Sequence, residues 1–166
     1  MTKLTHLDDH GQAHMVDIAG KIDSNRTAIA IGTISMKKDT LELITVGNIQ
    51  KGNVLTVARI AGIMGAKKTS DLIPLCHPLF LSKIDINLSI NDTLPGLDIK
   101  ATVRTFGKTG VEMEALTAVS ITALTIYDMV KAVDKTMCIN GILLTFKDGG
   151  KSGRFEAKPC SVSTKH

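Results

Sequence analysis

Asp128 is followed at i+3 and i+7 by Lys131 and Lys135, a spacing that sets all three on one side of a helix. Its neighbours one turn away include Leu124 and Ala132. Burial among them would raise the pKa of Asp128, whereas Lys131 would lower it. A carboxyl held between those effects can act as a general acid or base near neutral pH; a structural Asp–Lys pair is the competing reading. Glu112 and Glu114 stand two apart and so cannot share a helix face, and at a helix start the dipole alone favours carboxylates. Pro74 and Pro78 bracket Leu75, Cys76 and His77. Proline fixes its own φ and restrains the residue before it, so this loop is stiff and presents one thiol and one imidazole. Sequence neighbours generally point apart, which disfavours Cys76–His77 as a nucleophile pair. His77 reads either as a donor to an anionic ligand or as a capping or core histidine. Lys51 precedes a helix N-terminus. On spacing alone it is a solvated surface charge, and phosphate binding beside helix-end N–H groups is the alternative.

Two other patterns carry less. His6, His10 and His14 fall at i, i+4 and i+8, a metal ladder only if helical, and Asp8, Asp9 and Gly11 interrupt a helix there. Gly150, Lys151 and Ser152 resemble the end of a P-loop, but position 145 is Thr and no helix follows, so a P-loop is rejected.

The elements that must hold these residues follow from periodicity. Residues 110–135, GVEMEALTAVSITALTIYDMVKAVDK, read as one long helix, apolar on every face and therefore buried on all sides. Thr27 to Met36 reads as a strand, Asp39 or Thr40 as the cap of a short helix through Val46, and Val54 to Lys67 as a helix capped by Asn53. Within that helix Ala58 and Gly62, four apart, would admit another backbone. Lys83–Ile90 and Leu97–Phe106 alternate as two strands of a hairpin across NDTLPG, and Cys138–Phe146 is a last strand. Strand, helices, two strands, long helix, strand is the β-α-β-β-α-β order of an α+β, ferredoxin-like fold, with helices on one face of a mostly antiparallel sheet. The 166 residues are expected to form a single domain, with 1–15 and 153–166 flexible.

Composition sets the bounds. Hydrophobic residues make up 43%, charged residues 22% and aromatics 3%, so the core must be aliphatic. The net charge of +4 permits an anionic partner without naming one. Cys76, Cys138 and Cys160 are odd in number and form no CxxC, which argues against a disulfide framework or a structural zinc. The N-terminus lacks the apolar run of a signal peptide, and no stretch reads as long enough to cross a membrane. The expected location is cytoplasmic, with no membrane and no nucleic-acid partner.

Two stretches, KGNVLTVARIAGIMGAKKTSDLIPLCHPL and GVEMEALTAVSITALTIYDMVKAVDK, closely resemble the MoaC family of molybdenum cofactor biosynthesis, the cyclic pyranopterin monophosphate synthases. The resemblance runs from VDIAGKIDSNR to GGKSGRF. It implies a ferredoxin-like subunit in a homohexamer, a trimer of dimers, with sites between subunits. It implies a lyase that converts 3′,8-cyclo-7,8-dihydroguanosine 5′-triphosphate to cyclic pyranopterin monophosphate and diphosphate. No tightly bound metal is implied, although magnesium can accompany the phosphates. Carried over position by position, Asp128, Lys51 and Lys131 match the catalytic positions. Leu75, Cys76 and His77 match the substrate loop, and Glu112, Met113 and Glu114 the EME segment. Arg26 and Lys67 match basic positions near the phosphates. Two readings compete with the lyase. An RNA-binding ferredoxin-like sheet would stack bases on aromatics, yet only Phe106 and Phe146 stand there, at strand ends. A non-catalytic nucleotide sensor would leave Asp128 without a task.

Overall fold

The computed structural model describes residues 6–8, 10–46, 52–91 and 93–157. The chain runs β1 (Ser24–Ser35), α1 (Lys38–Val46), α2 (Val54–Lys67), α3 (Thr69–Leu72), β2 (Leu81–Ile90), β3 (Gly96–Gly107), α4 (Glu112–Val130), β4 (Cys138–Asp148) and β5 (Phe155–Glu156). The strands form one antiparallel sheet in the order β2-β3-β1-β4-β5. The first four are in ferredoxin-like order, and α2 and α4 cover one face. The expected β-α-β-β-α-β arrangement is present, with α1 and α3 added to it.

Alternation in the strands decides which face is covered. Ala28, Ala30, Gly32 and Ile34 of β1 and Leu97, Ile99, Ala101 and Val103 of β3 are buried, while Lys100 and Arg104 are exposed. Each large side chain removed from water contributes about 1.5–3 kcal/mol. Small residues set how closely the helices approach. A Cβ on Gly32 would lie 2.7 Å from Val119 Cγ1 of α4. One on Gly62 of α2 would collide with Thr122 Oγ1 and Ile86 Cδ1 and stand 3.0 Å from the Ala118 carbonyl. The Ala58–Gly62 pair therefore does admit a neighbouring helix, and that helix is α4. Asn53 caps α2 as expected, its Oδ1 accepting from Thr56 N at 2.9 Å.

The long helix departs from expectation in three ways. It ends at Val130 rather than Lys135, because Asp134 competes for the backbone. Its carboxylate accepts from Thr136 N and Oγ1 at 2.9 and 2.7 Å and from Lys37 N and Thr40 Oγ1 at 2.9 and 3.2 Å, a local alternative to helical hydrogen bonds. The helix is also not buried all round. Its sheet-facing residues, among them Val119, Ala123 and Ile126, are enclosed, while Leu124 is 54% exposed within the single chain. Contrary to the sequence reading, α4 is long and apolar enough to cross a membrane by length and composition. It packs instead as the core helix of the sheet.

The ends also hold more structure than their polarity suggests. Asp8 Oδ1 accepts from His10 N and Gln12 N, and Leu7 bridges to Ala13, so residues around the three histidines turn back instead of forming a helical ladder. Beyond Ser152, β5 pairs with β4 through Phe146↔Glu156 and Lys147↔Phe155.

Candidate functional site

The β3–α4 connection and the first turn of α4 form one wall of a cavity of about 320 Å³. The stiff loop supplies Leu75, Cys76, His77 and Leu79, the helix start supplies Gly110, Glu112, Met113 and Glu114, and the N-terminal arm adds His6, Val16, Ile18 and Lys21. A turn closed by Cys76 N donating to the Ile73 carbonyl at 3.1 Å presents the thiol and imidazole. The structure thus brings together Leu75, Cys76, His77, Glu112, Met113 and Glu114.

Glu114 is the chemically distinctive group. It is 4% exposed, and burial, reinforced by the nearby Glu112 charge, pushes its carboxyl up to about 7. A carboxyl with that pKa exchanges protons readily at neutral pH. Burial also raises the Cys76 thiol, with Glu114 adding to the effect, so Cys76 is a neutral wall rather than a ready nucleophile. Glu112 differs from Glu114 although it is only two residues away. Its side chain folds over Gly110, where a Cβ would collide with it, and its Oε1 lies 3.8 Å from Lys147 Nζ of β4. Lys147 also contacts Ser152 Oγ. Two carboxylates on different faces thus have different surroundings, one paired with a cation and one dry.

The remaining predicted residues lie elsewhere in the chain. Asp128 and Lys131 form an ion pair at 2.6 Å, with side chains 64% and 54% exposed, and Asp128 raises the pKa of the Lys131 ammonium. The Asp–Lys pair weighed as the competing reading is therefore present in the single chain, and the burial that would raise Asp128 is not, because its side chain is exposed. Fourteen residues of helix separate it from Glu114, about 21 Å along the axis. Lys67 is exposed at the end of α2 and lines neither this cavity nor its neighbour. Arg26 lines an adjoining cavity, its Nε and Nη2 donating to the Gly107 and Lys108 carbonyls at 2.8 and 3.0 Å. Lys51 lies outside the described residues.

Sequence reasoning weighed His6 only as part of a metal ladder and passed over Lys21, Lys147 and Asp134. His6 and Lys21 reach the cavity from an arm that carries no hydrophobic periodicity. Lys147 sits in an ordinary strand position. Asp134 was visible as an Asp two residues before a Thr, the spacing of a local side-chain turn.

The family model for the MoaC family matches residues 15–150. The chain belongs to the MoaC family. The cyclic pyranopterin monophosphate synthase of Dinoroseobacter shibae is 62% identical over 158 residues, covering 95% of this chain and 100% of that protein. The proteins of the same name from Cereibacter sphaeroides and Pelotomaculum thermopropionicum are 60% and 56% identical, each over 95% of this chain and over 99% and 93% of their own lengths. Both long motifs fall within the matched residues. The uncovered face presents Lys100, Thr102 and Arg104 along β3, with Phe106 exposed on the same side at the strand end. Phe146 stands at its end with the Arg154 guanidinium 5.1 Å over its ring.

Proposed function

We propose that this MoaC-family protein is a cyclic pyranopterin monophosphate synthase. It converts 3′,8-cyclo-7,8-dihydroguanosine 5′-triphosphate to cyclic pyranopterin monophosphate and diphosphate. The identity of 56–62% to enzymes of that name across 95% of the chain carries this reading. The buried Glu114 carboxyl, poised near neutrality beside His77, supports it. Opening the guanine-derived ring and re-closing the skeleton moves protons on and off nitrogen and oxygen, which suits carboxyl and lysine groups. A hydroxyl then attacks the α-phosphorus, a new P–O bond forms and diphosphate leaves. Lys51, Lys67, Arg26 and His77 stabilise the charge on the phosphate oxygens. The protein holds no tight metal, and magnesium travels with the substrate phosphates.

The proposal extends to a cytoplasmic homohexamer, a trimer of dimers, in which Asp128 and Lys131 of one copy complete the Glu114 pocket of another. One feature supports this assembly. Val57, Ile60 and Met64 of α2 and Leu124 of α4 are exposed apolar residues, with Leu124 one turn before Asp128 on α4. About a two-fold, the contact that sets Asp128 of one copy at the Glu114 pocket of the other repeats in reverse, giving two shared sites per dimer. The test is direct conversion of the cyclo-dihydroguanosine triphosphate by purified protein, with diphosphate release followed in parallel. Absence of either product rejects the reading.

A further inference from the structure

Asp134 is a buried ionisable group that the proposed chemistry does not use. It is 1% exposed and stands three residues beyond Lys131, where α4 has already ended at Val130. Its two oxygens serve different parts of the chain. Oδ1 accepts from Thr136 N and Oγ1 at 2.9 and 2.7 Å and shapes the turn that leads into β4. Oδ2 accepts from Lys37 N and Thr40 Oγ1 at 2.9 and 3.2 Å at the start of α1, where the helix dipole also favours a negative charge. One carboxylate thus clips together segments 94 and 97 residues apart in sequence.

The residues between Val130 and Asp134 are held from both sides. Lys131 N donates to the Tyr127 carbonyl at 2.8 Å and Asp134 N to the Val130 carbonyl at 3.1 Å. The Tyr127 hydroxyl donates to the Lys135 carbonyl at 3.2 Å. This short turn carries Lys131, whose Nζ lies 2.6 Å from Asp128 Oδ1. Both side chains of the pair are more than half exposed, so packing around their tips does little to fix them and the backbone beneath must do so. The helical pattern of the sequence runs on to Lys135. Without the Asp134 bonds it favours further helix, which would bring Lys135 to the side that holds Asp128 and Lys131.

We propose that Asp134 is a positioning residue: its clip between α1 and the turn into β4 sets the place of the Asp128–Lys131 pair without touching substrate. This rests on the proposed function, in which that pair takes part in the chemistry. A shift of about 1 Å at a reacting group costs about 10²-fold in rate, so loss of the clip is felt in turnover more than in binding.

Asp134→Asn keeps the shape of the side chain but turns one end of the clip into a donor that faces an N–H. Single-turnover rates with the cyclo-dihydroguanosine triphosphate, enzyme in excess, read even slow variants. Asp134→Asn, folded by circular dichroism and of wild-type size in gel filtration, is expected to lose about tenfold or more in rate, with substrate affinity within about twofold. In a Lys131→Ala background the same substitution is expected to cost less than about threefold, since the group it positions is gone. A purely structural loss lowers the share of competent molecules and multiplies the rate by one factor in both backgrounds. Where Asp134→Asn fails to fold, Thr136→Val and Thr40→Val, which each delete one of the four bonds, enter the same cycle with smaller factors. Thr136→Ser, which keeps the hydroxyl, runs at the wild-type rate. An Asp134→Asn rate equal to wild type, or equal losses in both backgrounds, overturns the proposal. An active wild type with equal losses fails the positioning role alone, whereas a wild type without turnover fails the enzymatic reading with it.

Discussion

Glu114 and Asp134 are both enclosed carboxyls, and the protein treats them in opposite ways. Asp134 accepts four hydrogen bonds from Lys37, Thr40 and Thr136, which hold its carboxyl well below the usual carboxylate range. It is charged in the fold, and its contribution is complete above the ordinary carboxylate pKa and lost as pH falls through its depressed folded value. Asp134→Asn is therefore expected to lower the urea midpoint at pH 7 and to flatten the acid side of a stability–pH curve. An unchanged acid limb would show that another group controls it. Glu114 works the other way. Below about pH 4 the carboxyl is protonated in both folded and unfolded chains. Between there and its folded value of about 7 only the unfolded chain has released the proton, so stability falls as pH rises and then levels. From the ordinary carboxyl value of 4.5 to about 7 this spans roughly 3 kcal/mol. Glu114→Gln should abolish that decline, so that it gains stability over wild type at pH 8 but not at pH 4 in urea melts. It should also lose turnover by about 10²-fold or more. A variant with wild-type turnover would remove Glu114 from the chemistry.

At the scale of elements, the crossing of α2 and α4 fixes where the pocket opens. It depends on Gly62, because a side chain there meets Thr122 and the Ala118 carbonyl of the facing helix. Gly62→Ala is expected to destabilise by about 1–3 kcal/mol through overpacking, read from chemical denaturation. A neutral result would mean that the helices can separate at little cost. This crossing was legible in the sequence. Strong periodicity gave α2 to the residue, with its Asn53 cap, and gave the hairpin and the sheet order with shifts of one to three residues at strand ends. Periodicity fails where side chains rather than apolar spacing decide. The Asp134 turn cut α4 short, and the glycine turns that carry the chain to β5 have no hydrophobic repeat. The site was legible in part for the same reason. Glu112 and Glu114 were singled out at a helix start and Cys76 and His77 in a proline-bracketed loop, and the family resemblance alone joined them as one site. Lys21 reaches the cavities from an unpatterned arm, and Lys147, on a plain strand, approaches the Glu112 carboxylate. Apolar helix neighbours left burial of Asp128 and a structural Asp–Lys pair both open, because a helical apolar pattern does not say which face a single chain leaves exposed.

For the whole molecule, the two ends of α4 carry the two halves of the proposed site, and one chain does not bring them together. Glu114, His77 and Cys76 occupy a pocket at the start of the helix, while Asp128 and Lys131 pair on its exposed side near the end. The proposed assembly unites them across subunits, so loss of either half should silence the enzyme while leaving the other half usable. The decisive measurement is turnover by co-expressed, co-purified Glu114→Gln and Asp128→Asn chains, compared with each variant alone. Each alone should be inactive. Random pairing about a two-fold should restore about a quarter of the wild-type sites, because half the dimers are mixed and each mixed dimer regains one of its two sites. A mixture as inactive as its components would place both carboxyls in the same chain's site and contradict the shared-site account.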